Sequence, residues 1–389
     1  MSNAKFLPPK QNPLLTRLIQ SIFYLVTYFA YQIKLETSDR DLAILKDLDD
    51  KRVVLLANHS NLDDGLVMFL LSARLGQLFN YIVAYEAFQG IIGWLMQHVG
   101  AYSLRRGVGD RPSIVQTLKI LQQPKCKLVI FPEGGCSYQN DTTIPFRTGA
   151  GELAFKTLTK LSKQENTTTD LYFVPVSIKY IYPKNSDRIL DKSLQDLEIA
   201  LSIEPTTNDF YIRLRAIAAK VLTNIETEYQ IVPKDLDDWN QRIADLKKQL
   251  LNYCENQLEI ATSDRLSNRD RVYKIQAVLT DLKKSEPESN LDYRQIELTA
   301  IRLLNFDAIY DGYVADKPTP ERFFATLDRL EREVFQIDRP RSKGMRRVRV
   351  KIATPIDVRE YWLNNQQQIP TAIAELTAIV RQRIEANLD

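Results

Sequence analysis

Between Val53 and Ile178 short apolar runs alternate with longer segments of helical periodicity, and this alternation constrains the fold more than any other feature of the 389-residue chain. Strand-like runs cover 53–57, 81–84, 101–104, 127–131 and 171–178. The intervening segments 65–75, 88–98, 113–121 and 149–161 read as helices. Parallel strands need helical crossovers, so the pattern predicts an α/β fold, a mostly parallel sheet flanked by helices. Ligands of such sheets sit beyond the carboxyl ends of the strands. His59, Arg105, Arg106 and Glu133 each stand just past a strand-like run and are expected to line one cleft.

Two regions depart from the alternation. Residues 14–34 place Leu15, Leu18, Ile22, Leu25, Val26, Phe29 and Ile33 on one helical face, and Arg17, Gln20, Tyr24, Thr27, Tyr31 and Lys34 on another. Such an amphipathic helix suits either a membrane–water interface or the surface of its own domain. From 187 to 341 charge rises and helical spacing takes over, as in Leu236, Trp239, Ile243, Leu246, Leu250 and Cys254. Thr319-Pro320 has the form of an N-cap followed by a first-turn proline, opening a helix through Phe323, Phe324, Leu327, Leu330 and Val334.

Structureless loops of that length are uncommon in compact domains. The region therefore reads as a large helical insertion before a last strand at 348–352, which a helix over 370–387 follows. The expected organisation is an N-terminal membrane-interface helix (1–40), an α/β core (41–186), the helical insertion (187–341) and the last strand with its helix (342–389). That last strand is assigned to the same sheet as the others. No internal repeat stands out.

Lys and Arg number 52 against 49 Asp and Glu, a net charge of +3. A nucleic-acid partner is not expected, because such binders carry a basic excess. The two histidines, His59 and His98, are too few for a histidine-based metal site. His98, in an apolar segment, reads as structural or interfacial. Neither a metal nor a bound cofactor is expected. Cys126, Cys136 and Cys254 are odd in number and lack C-x-x-C spacing, which argues for reduced thiols. No segment reads as a signal peptide or as a transmembrane helix.

Chemistry concentrates where the run Val53-Val54-Leu55-Leu56 stops at Asn58-His59, with Asp63-Asp64-Gly65 five residues on. The pattern predicts a buried strand, a tight connection and a helix carrying both aspartates in its first turn. An aspartate there is most often an N-cap. A carboxylate folded back onto the imidazole would instead make a base suited to deprotonating a hydroxyl near neutral pH.

Three further blocks follow in order: Gly100-Ala101-Tyr102-Ser103-Leu104-Arg105-Arg106; Phe131-Pro132-Glu133-Gly134-Gly135-Cys136-Ser137 with Pro145-Phe146-Arg147-Thr148-Gly149; and Val174-Pro175-Val176. Singly, each has an ordinary structural explanation: an exposed arginine, a glycine turn, an edge-strand proline.

In that order the blocks resemble the glycerolipid acyltransferase family typified by 1-acylglycerol-3-phosphate acyltransferase. The resemblance covers about 52–178 and resumes at 348–356. It implies a membrane-associated O-acyltransferase at the cytoplasmic face of a membrane. The acyl group would pass from acyl-CoA or acyl carrier protein to the hydroxyl of a lysoglycerolipid, a lysophosphatidate or lysophospholipid. By the same resemblance His59 is the general base and Asp64 its partner. Arg106, Glu133, Gly134 and Arg147 would form the acceptor site. Membrane lipid, the acyl donor and the membrane surface are the partners implied.

The family's threonine and arginine after F-P-E-G are Gly135 and Cys136 here, and its phenylalanine is Ser103. Losing that arginine leaves open an acceptor without phosphate, a lipid alcohol. A non-catalytic lipid-binding or scaffold protein is the alternative from another class.

Overall fold

The structure, a computed structural model, describes residues 5–164, 169–183, 186–261, 266–287, 289–306 and 310–388. It forms two compact units. One comprises Ala4–Leu104, Asp110–Ile181 and Met345–Asp389, and the other includes Arg105–Gly109 and Tyr182–Gly344.

The first unit is the α/β fold. In chain order it contains α1 (Pro13–Ala30), β1 (Ile33–Glu36), α2 (Asp39–Asp47), β2 (Val53–Ala57), α3 (Asp64–Leu75), β3 (Asn80–Ala84), α4 (Gly90–His98), β4 (Ala101–Leu104), α5 (Arg111–Gln122), β5 (Lys127–Ile130), α6 (Gly149–Leu161) and β6 (Tyr172–Ile181). The second unit follows in sequence with α7 (Asp187–Leu201), α8 (Phe210–Glu228), α9 (Trp239–Gln257), α10 (Asn268–Ser285), α11 (Tyr293–Asn305) and α12 (Pro320–Phe335). The chain then returns to the sheet with β7 (Arg346–Ile352), β8 (Ile356–Asp357), α13 (Val358–Asn364) and α14 (Ile369–Glu385).

The strand order is β1-β7-β6-β2-β5-β3-β4, with β8 also beside β6. β6, β2, β5, β3 and β4 run parallel. β7 and β8 are antiparallel to β6, and β1 is parallel to β7. All five residues of β2 are buried, as expected of a strand covered on both faces. Against one face, Val54, Leu56, Leu128 and Phe173 pack with Phe155 and Leu158 of α6 and Leu376 and Val380 of α14. Against the other lies α3, with Val67, Met68 and Leu71 fully buried.

Three local readings are corrected by the structure. The N-terminal helix ends at Ala30, not Lys34. Gln32 has φ +52, and Ile33-Lys34-Leu35-Glu36 forms an edge strand on β7. The last strand joins the sheet as expected, running antiparallel to β6. Pro175 lies inside β6, between β2 and β7/β8, rather than on an edge. Its carbonyl accepts from Ala353 N, in the gap between β7 and β8, so its missing N–H leaves no ladder bond unmade.

The third correction concerns repeats. Glu198, Glu226 and Glu255 each receive both Nε and Nη2 of an arginine 15, 16 and 16 residues later: Arg213, Arg242 and Arg271. Each glutamate's carbonyl also accepts the N–H of an isoleucine (Ile203, Ile231, Ile260), and the residue before that isoleucine is left-handed (Ser202, Gln230, Glu259). This is the Schellman closure of a helix. Asp209, Asp238 and Ser267 then cap the next helix, four residues before each arginine. The helical unit thus repeats a Glu…Ile…cap…Arg hairpin with a period of about 29 residues.

Candidate active site

The carboxyl ends of β2 and β5 deliver His59 and Glu133 to one place. Beyond Ala57 the ladder is continued by a side chain: Asn58 Nδ2 donates to Ile178 O (2.9 Å) and its Oδ1 accepts Ile178 N (2.7 Å). This two-bond clasp fixes the backbone at His59, whose own polar groups are also held. His59 N donates to Glu133 Oε1 (2.6 Å) and His59 O accepts Ser137 N (2.7 Å). The ring stacks on Phe131 with centroids 4.5 Å apart, leaving the side chain 20% exposed.

His59 Nδ1 lies 2.9 Å from Asp64 Oδ2, and the Asp64 side chain is fully buried. The same oxygen accepts Asn61 N (2.9 Å), while Oδ1 accepts the Tyr180 hydroxyl (2.7 Å). With Nδ1 committed to the carboxylate, Nε2 is the remaining ring nitrogen of a partly exposed side chain, and among the described residues it has no hydrogen-bond partner. That is the geometry of an imidazole held in one tautomer with its second nitrogen available to an incoming group.

The N-cap role goes to neither aspartate. Asp63 occupies the cap position of α3 with φ −83° and ψ −5° and makes no side-chain cap bond. Its carboxylate pairs instead with buried Arg346 at the start of β7 (2.9 Å), which also donates to Tyr31 O.

Glu133 is 1% exposed, and its oxygens accept His59 N and Ile144 N (3.3 Å). It therefore clamps the loop from β5 to α6 against the end of β2. Gly134 has φ +73, and a Cβ there would lie 2.4 Å from Arg147 Nε, so glycine is what lets Arg147 close over the turn. Arg147 N donates to Pro132 O (2.9 Å).

The structure thus brings His59, Asp64, Glu133, Gly134 and Arg147 together. Arg106 belongs to the helical unit, where its guanidinium lies 4.3 Å from the centroid of the Tyr273 ring. Its neighbour Arg105 pairs with Asp281 (2.8 Å). His98 stays on α4, with Nδ1 against Trp94 O (2.8 Å) and its ring over Trp94.

Sequence reasoning missed Tyr180, Arg346 and Asn140. Asn140 repeats the Asn58 device, donating to Tyr180 O (2.7 Å) and accepting Tyr180 N (2.8 Å). No local spacing signals these long-range partners. Burial pushes the Cys126 and Cys254 thiols up, to about 11 and about 12, so both remain thiols. Among the described residues no cluster of three or more His, Cys, Asp or Glu side chains forms a metal site.

Two helices of this unit expose apolar surface. On α1, Leu14, Leu18, Ile22, Leu25 and Phe29 are 51–84% exposed, while Gln20 faces inward, its Nε2 donating to Ser72 Oγ and Gln77 O. On α4, Ile91, Ile92 and Trp94 are exposed. Thr16 Oγ1, Lys10 N and Asn12 N tie the start of α1 to the end of α4. Among the described residues no helix is long and apolar enough to cross a membrane.

A family model described as Acyltransferase matches residues 35–179, the stretch that holds His59, Asp64, Glu133, Gly134 and Arg147. No curated protein matches the chain. The motif order and the strand-end imidazole–carboxylate pair agree with this match, which supports an acyltransferase domain over residues 35–179.

Proposed function

We propose that the protein is a membrane-associated O-acyltransferase that acylates a hydroxyl of a lysoglycerolipid, with acyl-CoA or acyl carrier protein as donor. The observation that carries this reading is the buried Asp64 carboxylate 2.9 Å from Nδ1 of the partly exposed His59 ring. In the proposed step His59 Nε2 takes the acceptor's proton as its oxygen attacks the thioester carbonyl. Asp64 stabilises the imidazolium that forms. Collapse of the tetrahedral intermediate breaks the C–S bond, and the thiolate leaves with the proton His59 held. The donor is already activated, so no acyl-enzyme is required.

In this scheme Arg147 and the backbone at Gly134 receive the acceptor's anionic group, and Glu133 shapes that site by holding its two walls. Arg106, at the family's arginine position, is proposed as a phosphate ligand. The exposed apolar faces of α1 and α4 support docking at the cytoplasmic face of a membrane, where the acceptor resides.

Gly135 and Cys136, in place of threonine and arginine, favour a second reading in which the acceptor is an uncharged lipid alcohol. Incubating the purified protein in vesicles with an acyl thioester and, separately, lysophosphatidate, a lysophospholipid or a neutral lipid alcohol tests both. Thiol release with the first two supports the phosphate-bearing acceptor, and turnover with the alcohol alone replaces it. Release of free fatty acid without any acceptor would mark a thioesterase and overturn both.

A further inference from the structure

We infer that Tyr180 is a positioning residue for His59, acting through the hydrogen bond from its hydroxyl to Asp64. The inference rests on the reading of His59 as the base. It concerns residues beyond the family match, which ends at 179, one residue before Tyr180 and far before Arg346.

Every degree of freedom of Tyr180 is taken up by the α/β unit. Its backbone is held on both polar atoms by the Asn140 amide. Its ring lies under the Arg346 guanidinium (5.4 Å to the centroid), which is itself fixed by Asp63 and Tyr31 O. Its hydroxyl donates to Asp64 Oδ1 at 2.7 Å, opposite the oxygen that meets His59. Burial, and then the Asp64 charge, push this hydroxyl well above its ordinary value, so it remains a donor at any working pH.

Among the described residues, the ionisable groups around this chain include Asp63 just before α3 and Asp64 at its start, Glu133 and Arg147 from the β5–α6 loop, Cys136 beside them, and Arg346 from β7. The donation from Tyr180 draws carboxylate charge away from the His59 side. It also stops the side chain rotating out of the imidazole plane. Removing the hydroxyl concentrates charge on Oδ2 and stabilises the imidazolium. The base then loses its proton only at higher pH, and its aim loosens.

Tyr180→Phe tests this with two readouts. In the full chain, the acid limb of kcat/KM against pH is expected to move up by about half a unit or more. kcat is expected to fall about tenfold with KM little changed. Independently of activity, NMR titration reads the His59 ring directly, because His98 is the other histidine and its signals are removed in His98→Gln. The His59 midpoint should rise in Tyr180→Phe.

Should Tyr180→Phe fold poorly, 3-fluorotyrosine at position 180 keeps ring and hydroxyl but strengthens the donor. The His59 midpoint should then fall. Opposite shifts in the two variants support the inference. A His59 titration that neither variant moves, with only thermal stability lowered, overturns it. If His59→Ala retains acyl transfer, the catalytic reading fails, and the NMR shifts still decide whether Tyr180 positions the pair.

Discussion

In the helical unit, Glu198, Glu226 and Glu255 hold Arg213, Arg242 and Arg271 in the same two-bond fork, each closing one hairpin. In the α/β unit the partners of the buried carboxylates differ in kind: they include an arginine for Asp63, a histidine, a tyrosine and a backbone N–H for Asp64, and two backbone N–H groups for Glu133. Burial is similar and the chemistry overlaps. The helical pairs are saturated and repeated, which is how charge fixes helix register. Of the sheet's carboxylates, Asp64 meets an imidazole that keeps one nitrogen unbonded within the described chain, and Glu133 holds the backbone of that same residue. A buried charge becomes informative about function when the group it serves is left with unused capacity.

The comparison breaks if His59 proves dispensable. His59→Ala is expected to lower kcat by about 10³-fold or more, and Asp64→Asn by about 10²-fold or more, with urea midpoints near wild type. Acyl-transfer assays beside unfolding curves check both. Loss of folding in place of loss of rate would put this pair in the same class as the helical clasps.

The opposite behaviour is expected of the clasps. Arg242→Met strands the buried Glu226 charge and should cost about 3–5 kcal/mol in urea unfolding. Adding Glu226→Leu should recover most of that loss, because a packed apolar pair of similar volume needs no counter-charge. Activity per folded molecule should stay unchanged in both.

A smaller effect is expected at Gly134. Alanine there must adopt φ +73 and displace Arg147, for a cost of about 1–2 kcal/mol that thermal unfolding would register. The smallest stability change is expected on α1. Leu18→Glu and Phe29→Glu should shift folding by about 0.5 kcal/mol or less, while vesicle flotation shows binding weakened several-fold. Unaltered flotation would remove α1 from the membrane-docking proposal.

What the sequence made legible follows from the range of the interactions. Val53-Val54-Leu55-Leu56 declared a buried strand because its burial is continuous, and Thr319 declared a cap because its bond to Arg322 N is three residues long. The pairing of His59 with Asp64 was readable for the same reason, at five residues' separation. Tyr180 reaches Asp64 across 116 positions and Arg346 reaches Asp63 across 283, distances at which no spacing rule operates.

The start of β1 was read as the tail of α1 because Ile33 also fits a helical face. The turn that ends α1 lies in the backbone of Gln32, a residue with no strong turn preference. The helical repeat escaped notice because it conserves little more than a glutamate, an isoleucine, a cap and an arginine in each period. Its first interval is also one residue shorter than the next.

β1 finds its sheet neighbour in β7, and Asp63 finds its cation in Arg346 at the head of that same strand. On a ribosome, the chain therefore emerges with its first strand long before the strand that pairs with it. Synthesis of the intervening stretch, about 300 residues, takes on the order of 15–60 s at ordinary elongation rates. During that interval the edge of β1 lacks its sheet neighbour, a window in which a chaperone would find it before its own carboxyl-terminal strand does.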